Sequence, residues 1–271
     1  MESHASYSQE IYMETHYTSV TELPGRKASK EQLVRLYGRY HFASQFCKAK
    51  YVLEAACGSG IGLGYLARRA KRVVGGDIDE HILSFAQEYY KRRNNIQLYR
   101  FDAHRLPFKD TSFDVIILYE AIYYLAHPEK FLAECRRVLR KRGTLIICTA
   151  NKDCPGFSKS PFSFKYFSCL ELLALLEQHH FDVELFGDCP VVSGSIKQKL
   201  IYIIKRTAVA VGLIPKTMEG KEILKRIFFG KLLAIPREIE DGMAQYHPPV
   251  PISCNSLNSQ YRVLFAVAHT R

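Results

Sequence analysis

No stretch of this 271-residue chain is long and apolar enough to cross a bilayer; the most apolar, Leu200 to Pro215, is interrupted by Lys205 and Arg206. The start, MESHASYSQE, lacks the apolar centre of a secretory signal. Together these absences lead us to expect a soluble, cytoplasmic protein. The eight cysteines, Cys47, Cys57, Cys135, Cys148, Cys154, Cys169, Cys189 and Cys254, include no pair at metal-knuckle spacing. Reduced, mostly buried thiols are expected. No HxxH or HExxH pair occurs, no cluster reads as a dedicated metal site, and no segment repeats.

What is present is ordinary globular composition: 47% hydrophobic and 24% charged residues, which excludes wholesale disorder. The length suits one large domain with an insertion. A net charge of +11 permits attraction to nucleic acid, anionic lipid or phosphorylated substrates without choosing among them.

The stretch that organises the chain is Tyr51 to Gly64, YVLEAACGSGIGLG. An apolar run ends in Glu54, and Gly58, Gly60, Gly62 and Gly64 follow, as in a strand that turns through glycines into a helix. Glycines there let a ligand lie against the main chain, and the first N–H groups of a helix starting near Gly60 suit an anionic or zwitterionic group. A nicotinamide dinucleotide would need glycine where Leu63 stands. Glu54 would also repel a pyrophosphate, yet it suits an ammonium.

Upstream, Ser29 and Gln32 form a capping-box pattern for a helix over about 30–48, with Leu33, Leu36, Tyr37, Tyr40 and Phe46 near helical spacing. Arg39 and Tyr40 lie on it; a solvated Arg beside a packed Tyr is the default, and reach towards a ligand carboxylate the alternative. Downstream come a helix over 61–71 and a strand from Val73 to Asp77. Asp77 stands 23 residues beyond Glu54, near the spacing at which nucleoside-binding folds place a ribose acid. Asp79, rather than Asp77, suits the cap of the next helix, 80–93. Strands follow at Ile96–Phe101 and Phe113–Leu118. A helix then opens at Pro128 and is ended by Gly143, before a strand at Thr144–Thr149. Ser168 and Glu171 cap a further helix, and strands at Val183–Phe186 and Tyr261–His269 complete an alternating α/β pattern.

Leu53, Glu54, Cys57, Gly58, Ser59 and Gly60 resemble the first motif of class I S-adenosylmethionine-dependent methyltransferases, and Asp77 stands as their second. Asp102, Ala103, Leu106, Pro107 and Phe108 match a third. The resemblance covers residues 30–188. It implies a doubly wound, Rossmann-like sheet of seven strands, mostly parallel with an antiparallel last strand, plus a helical insertion. It implies S-adenosyl-L-methionine as cofactor: Glu54, Gly58 and Gly60 at the methionine end, Asp77 at the ribose and Asp102 with Ala103 at the adenine, with Ala56 and Ser59 also cofactor-binding. Ile78 and Tyr119 complete the set. Relatives often carry a His where Tyr124 stands; its absence here leaves Glu120, or a residue of the cap, as the candidate base for a hydroxyl acceptor. Arg39, Tyr40, Phe42, Ala43 and Thr149 to Lys152 resemble a subgroup common in bacterial polysaccharide and O-antigen clusters, although Ser163 replaces that subgroup's His. A small-molecule acceptor follows, with a sugar or lipid-linked hydroxyl as the leading form.

Two rivals are weighed against this reading. Amino-methylating nucleic-acid enzymes usually carry an Asn/Asp-Pro-Pro-aromatic motif where this chain has Tyr119, Glu120, Ala121 and Ile122, which argues against nucleic acid. A non-catalytic cofactor- or membrane-binding protein is the other. The expected organisation is an N-terminal segment over 1–28, rich in Tyr7, Tyr12 and Tyr17 and read either as a lid or as a frayed terminus, then a core over 29–190. A basic helical insertion over 191–258 precedes the final strand at 259–271. The insertion carries ten basic against five acidic residues, net +5, with amphipathic spacing that fits a cap or a peripheral contact at the inner membrane surface.

Overall fold

Apolar residues that recur in short runs between Tyr51 and Ala150 become five parallel strands of one sheet. The computed structural model describes residues 17–191, 232–253 and 258–271. The aromatic residues Tyr7 and Tyr12 and most of the basic insertion lie outside them. In chain order the elements are β1 (Lys27–Ala28), α1 (Lys30–Ser44), β2 (Tyr51–Ala55), α2 (Leu63–Ala67), β3 (Arg72–Asp77), α3 (Glu80–Tyr90) and β4 (Ile96–Arg100). Then come β5 (Phe113–Tyr119), α4 (Pro128–Val138), β6 (Leu139–Ala150), α5 (Cys169–Gln178), β7 (Phe181–Pro190), β8 (Leu233–Ala234), β9 (Val250–Pro251) and β10 (Tyr261–Thr270).

The large sheet has the order β4-β3-β2-β5-β6-β10-β7-β9. Strands β2 to β6 pair in parallel, and β10 runs antiparallel between β6 and β7. Side chains alternate across it with period two. Leu53, Ile116, Leu118, Leu145 and Ile147 face α4 and α5, whereas Val52, Val73, Val115, Ile117 and Ile146 face α1, α2 and α3. Covering on both faces is why the central strands read as nearly unbroken apolar runs.

Local chemistry sets the helix starts. Ser29 with Gln32, and Ser168 with Glu171, make reciprocal capping boxes, and Asp79 accepts from Ile82 N. Three details depart from the sequence reading. The sheet has eight strands, because the two-residue β9 pairs with Phe186 and Gly187 and covers part of the exposed edge of β7. Helix α4 ends at Val138 rather than at Gly143. Leu139 already pairs with Phe113, and the register then jumps to Thr144 opposite Val115, so the residues between them, Gly143 included, form a bulge in β6. Cys169 is disulfide-bonded, against the expectation of reduced thiols, while Cys47, Cys57, Cys135, Cys148, Cys154 and Cys189 are free.

Within the described part of the insertion, Ile235 and Ile239 are buried against the α1 and α2 face. β8 pairs with β1, which anchors the segment to the N-terminal strand. The Glu238 carboxylate, 5% exposed, receives Arg68 at 3.0 Å and Arg93 at 2.8 Å and lies where a Cβ on Gly64 would fall. Both arginines are partly exposed, so Glu238→Ala is expected to cost about 2 kcal/mol, less than for a fully buried pair. Chemical denaturation reads this directly, and an unchanged midpoint would remove the anchoring role.

Candidate functional site

In a doubly wound sheet the ligand crevice lies beyond the carboxyl ends of the strands, where the order of the chain reverses. Here that point falls at β2, whose neighbours are β3 on one side and β5 on the other. A cavity of about 630 Å³ opens there. Two residues immediately past these strands, Ala56 at φ 53° and Glu120 at φ 51°, hold the left-handed conformation that non-glycine residues avoid. Backbone strain of this kind is kept where the surrounding structure imposes it, often at working sites.

Glu54, at the end of β2, is 1% exposed. Tyr40 on α1 donates its hydroxyl to Glu54 Oε1 at 2.6 Å, while Oε2 has no hydrogen-bond partner. Burial pushes this carboxyl up to about 7, opposed by the Tyr40 bond and by the Arg39 charge. Arg39 is buried rather than solvated: its side chain is 11% exposed and stands between Glu22, at 2.6 Å, and Glu120, at 3.6 Å. Its Nε is also without a partner. Both orphaned groups belong to residues that line the cavity.

The glycine turn serves more than one purpose. Gly58 has φ +55° and donates its N–H to Asp77 Oδ2 at 2.8 Å, while Asp77 Oδ1 accepts from Asp79 N at 3.0 Å. Burial raises the Asp77 carboxyl above its ordinary range, against these backbone bonds. Gly62 and Gly64 leave room for protein instead of ligand, namely the Tyr40 ring and the Glu238 carboxylate. Helix α2 starts at Leu63, later than expected, and two of its first N–H groups already bond, Leu63 N to Gly60 O and Gly64 N to Tyr90 Oη. The helix-end contribution imagined from sequence is therefore largely spent within the protein.

Glu54, Ala56, Gly58, Ser59, Asp77, Ile78, Asp102, Ala103, Tyr119 and Glu120 all line the one cavity. Gly60 does not: its carbonyl accepts from Tyr90 Oη at 3.0 Å, and a Cβ on it would meet Ala86 Cβ at 2.6 Å, on the α3 side. Ile78 sits at the rim, 46% exposed. Asp102 accepts from His104 through both the backbone N and Nδ1. Tyr119 donates to Arg39 O at 2.9 Å, and Tyr123 donates to Glu120 Oε2 at 3.0 Å.

The N-terminal segment crosses the opening. Tyr17, Val20, Thr21 and Glu22 line the cavity, and Ser59 Oγ donates to Glu22 O at 2.8 Å. The Tyr17 ring meets Tyr124 edge-on at 5.5 Å, and its hydroxyl is pushed up to about 12 by burial, then by Tyr124 and Asp77. At the far end Arg35, Asp188 and Arg262 complete the wall. Sequence reasoning missed Asp188 and Arg262 because β7 and β10 reach the site only through their place in the sheet. Arg39 was visible as a candidate, but its burial depends on Glu22 and Glu120 closing over it.

Comparison with known proteins adds an independent line. A family model described as a methyltransferase domain matches residues 53–147. A probable S-adenosylmethionine-dependent methyltransferase of Mycolicibacterium smegmatis is 34% identical over 149 residues, covering 54% of this chain and 57% of that one. A phthiotriol/phenolphthiotriol dimycocerosates methyltransferase of Mycobacterium ulcerans is 40% identical over 102 residues, 36% of each chain. The chain thus spans little more than half the length of the first of these relatives. Among solved structures, a methyltransferase of Thermotoga maritima titled a possible histamine N-methyltransferase superposes with a TM-score of 0.57, over 88% of this chain and 92% of that one, at 15% identity. At that identity the likeness concerns the fold.

Proposed function

We propose that this chain is a class I S-adenosylmethionine-dependent methyltransferase that methylates a hydroxyl of a small or lipid-linked acceptor, a reading supported by the methyltransferase-domain match over residues 53–147 and by the 34% identical relative. The observation that carries the reading is the pair of orphaned buried groups on one cavity wall, Glu54 Oε2 and Arg39 Nε. An acceptor and a donor left unpaired in a protein interior are costly unless a ligand completes them. An amino acid's ammonium and carboxylate would do so, and S-adenosylmethionine ends in both. The residues present therefore fit that group.

When bound, S-adenosylmethionine supplies an electrophilic methyl on a sulfonium, open to in-line displacement by an acceptor lone pair. Glu54 and Arg39 hold the amino-acid end, Asp77 the ribose hydroxyls, and Asp102 with the Ala103 N–H the adenine. Tyr17, Thr21 and Glu22 exclude water from above, which preserves alignment. Glu120, held by Tyr123 and facing Arg39, takes the proton of an acceptor hydroxyl. The relative whose name specifies a lipid acceptor supports a lipid-linked substrate here, and a sugar hydroxyl on such a lipid is the finer form of the proposal.

Calorimetric titration with S-adenosylmethionine and with NAD tests the cofactor half; micromolar binding of the first alone is expected, and binding of NAD instead would overturn it. Transfer of labelled methyl to glycolipid, free sugar or nucleic acid tests the acceptor half. Label in nucleic acid alone would refute it.

Glu54 also sets a pH dependence. Only its ionised form attracts an ammonium, so cofactor affinity should rise as pH rises through about 7. The stability of the free protein runs the other way. The folded value, about 7, exceeds the ordinary 4.5, so the folded chain retains a proton that the unfolded chain has released. That contribution is complete below the ordinary value and is lost as pH rises through the folded one. Glu54→Gln should flatten both trends in parallel titrations and melts; a variant that kept the affinity slope would place the titrating group elsewhere.

A further inference from the structure

Between β6 and α5, residues 154–168 read CPGFSKSPFSFKYFS, fifteen positions with four phenylalanines and two lysines, preceded by Asp153 and with no Asp or Glu of their own. Two of the phenylalanines are turned outward: Phe164 is 57% exposed and Phe162 40%. Lys159 and Lys165 beside them are exposed as well. Exposed single apolar residues are commonplace, but exposed rings two positions apart, framed by cations and free of acids, are a patch with a character.

Several polar groups of this loop bond within the protein. Phe164 N donates to Tyr123 O at 2.8 Å, Ser160 N to Tyr166 Oη at 3.1 Å, and Ser163 Oγ to Ser160 O at 2.7 Å. Tyr124 Oη and Ser160 Oγ share a hydrogen bond of 2.6 Å. Phe162 has φ +67°, a left-handed conformation that a bulky residue adopts only under constraint. The bonds that hold the loop engage the Ser160, Ser163 and Tyr166 hydroxyls within it, and leave the Phe162 and Phe164 rings on the outside while Phe157 and Phe167 pack inward. The loop also adjoins the site. Phe164 lines the cavity, and the Phe162 ring meets Tyr17 at 6.4 Å.

We propose that this loop docks on an anionic lipid bilayer, with Phe162 and Phe164 entering the headgroup region and Lys159 and Lys165 resting on lipid phosphates. Lysine stems can lie along the apolar boundary while their ammonium groups stay at the phosphates. Anionic surfaces attract nearby cations, and the net charge of +11 adds to the approach. The proposed contact is peripheral; no helix among the described residues is long and apolar enough to cross a membrane. The cavity then opens towards the surface that carries a lipid-linked acceptor, and that last consequence rests on the acceptor reading above.

The chain contains no tryptophan, so one introduced ring reports from one place. Full-length F164W, and F85W as a control on α3 where Phe85 is 40% exposed, would be mixed with vesicles of phosphatidylcholine alone or with added phosphatidylglycerol. A blue shift at position 164 with the anionic vesicles, quenched by brominated acyl chains and absent at position 85, is the expected result. F164S should lower the vesicle-bound fraction about tenfold, the effect of removing one buried ring, and K159E/K165E should abolish the preference for phosphatidylglycerol. Flotation with vesicles but no shift at position 164 would place the contact elsewhere and overturn the proposal, as would no flotation at all. Methyl donor and acceptor are absent throughout, so failure here and failure of the methyl-transfer reading are separate results.

Discussion

A Gly62→Ala variant is expected to lose on the order of 3 kcal/mol of stability, the upper range for forcing one carbon into a packed interior. The added Cβ would fall 1.8 Å from Tyr40 Cε1 and 2.2 Å from two more atoms of that ring. The ring has nowhere to retreat: it is 6% exposed, meets Tyr119 edge-on at 5.5 Å, and is tethered by its hydroxyl to Glu54 at 2.6 Å. Backbone conformation is not the difficulty, because φ at Gly62 is −90°. Gly38, on α1, makes the control: a Cβ there meets nothing within 4 Å. Gly38→Ala should be neutral or stabilising, by up to about 1 kcal/mol from helix propensity. Denaturant melts of both variants decide it, and equal midpoints would mean that Tyr40 is not seated against the turn. Because Tyr40 also positions Glu54, Gly62→Ala should weaken cofactor binding as well.

Asp77→Asn should raise the dissociation constant for S-adenosylmethionine about a hundredfold, the loss of two hydrogen bonds to a charged group. Asparagine matches the volume but offers one acceptor oxygen in place of two, and both carboxylate oxygens of Asp77 already receive backbone N–H groups, from Gly58 and Asp79. The substitution therefore removes charge at the proposed ribose position and loosens the Gly58 turn together. The fold should survive, since Asp79 rather than Asp77 caps α3. Calorimetry on the folded variant gives the answer: affinity within threefold of the parent would remove Asp77 from the ribose role.

Much of this was legible in the chain because it is local. Short, nearly unbroken apolar runs specify strands covered on both faces, and the capping pairs Ser29 with Gln32 and Ser168 with Glu171 specify where helices begin. The order of Glu54, Asp77 and Asp102 followed from their places at strand ends. Their convergence on one cavity is a property of the parallel sheet, which brings the carboxyl ends of neighbouring strands side by side. Gly60 is the exception: its spacing matched a binding glycine, but its backbone faces α3.

The sequence alone determined the fold class and the carboxylates at the strand ends, because strands, turns and caps are set by residues within a few positions of one another. Only the tertiary structure decided that Arg39 is buried and orphaned at Nε, that Asp188 and Arg262 reach the site, and that β9 extends the sheet. It also decided which glycines face protein: Gly62 and Gly64 are small because Tyr40 and Glu238 press on them. Close packing between residues far apart in the chain sets such choices, and no local pattern of apolar and polar residues records it.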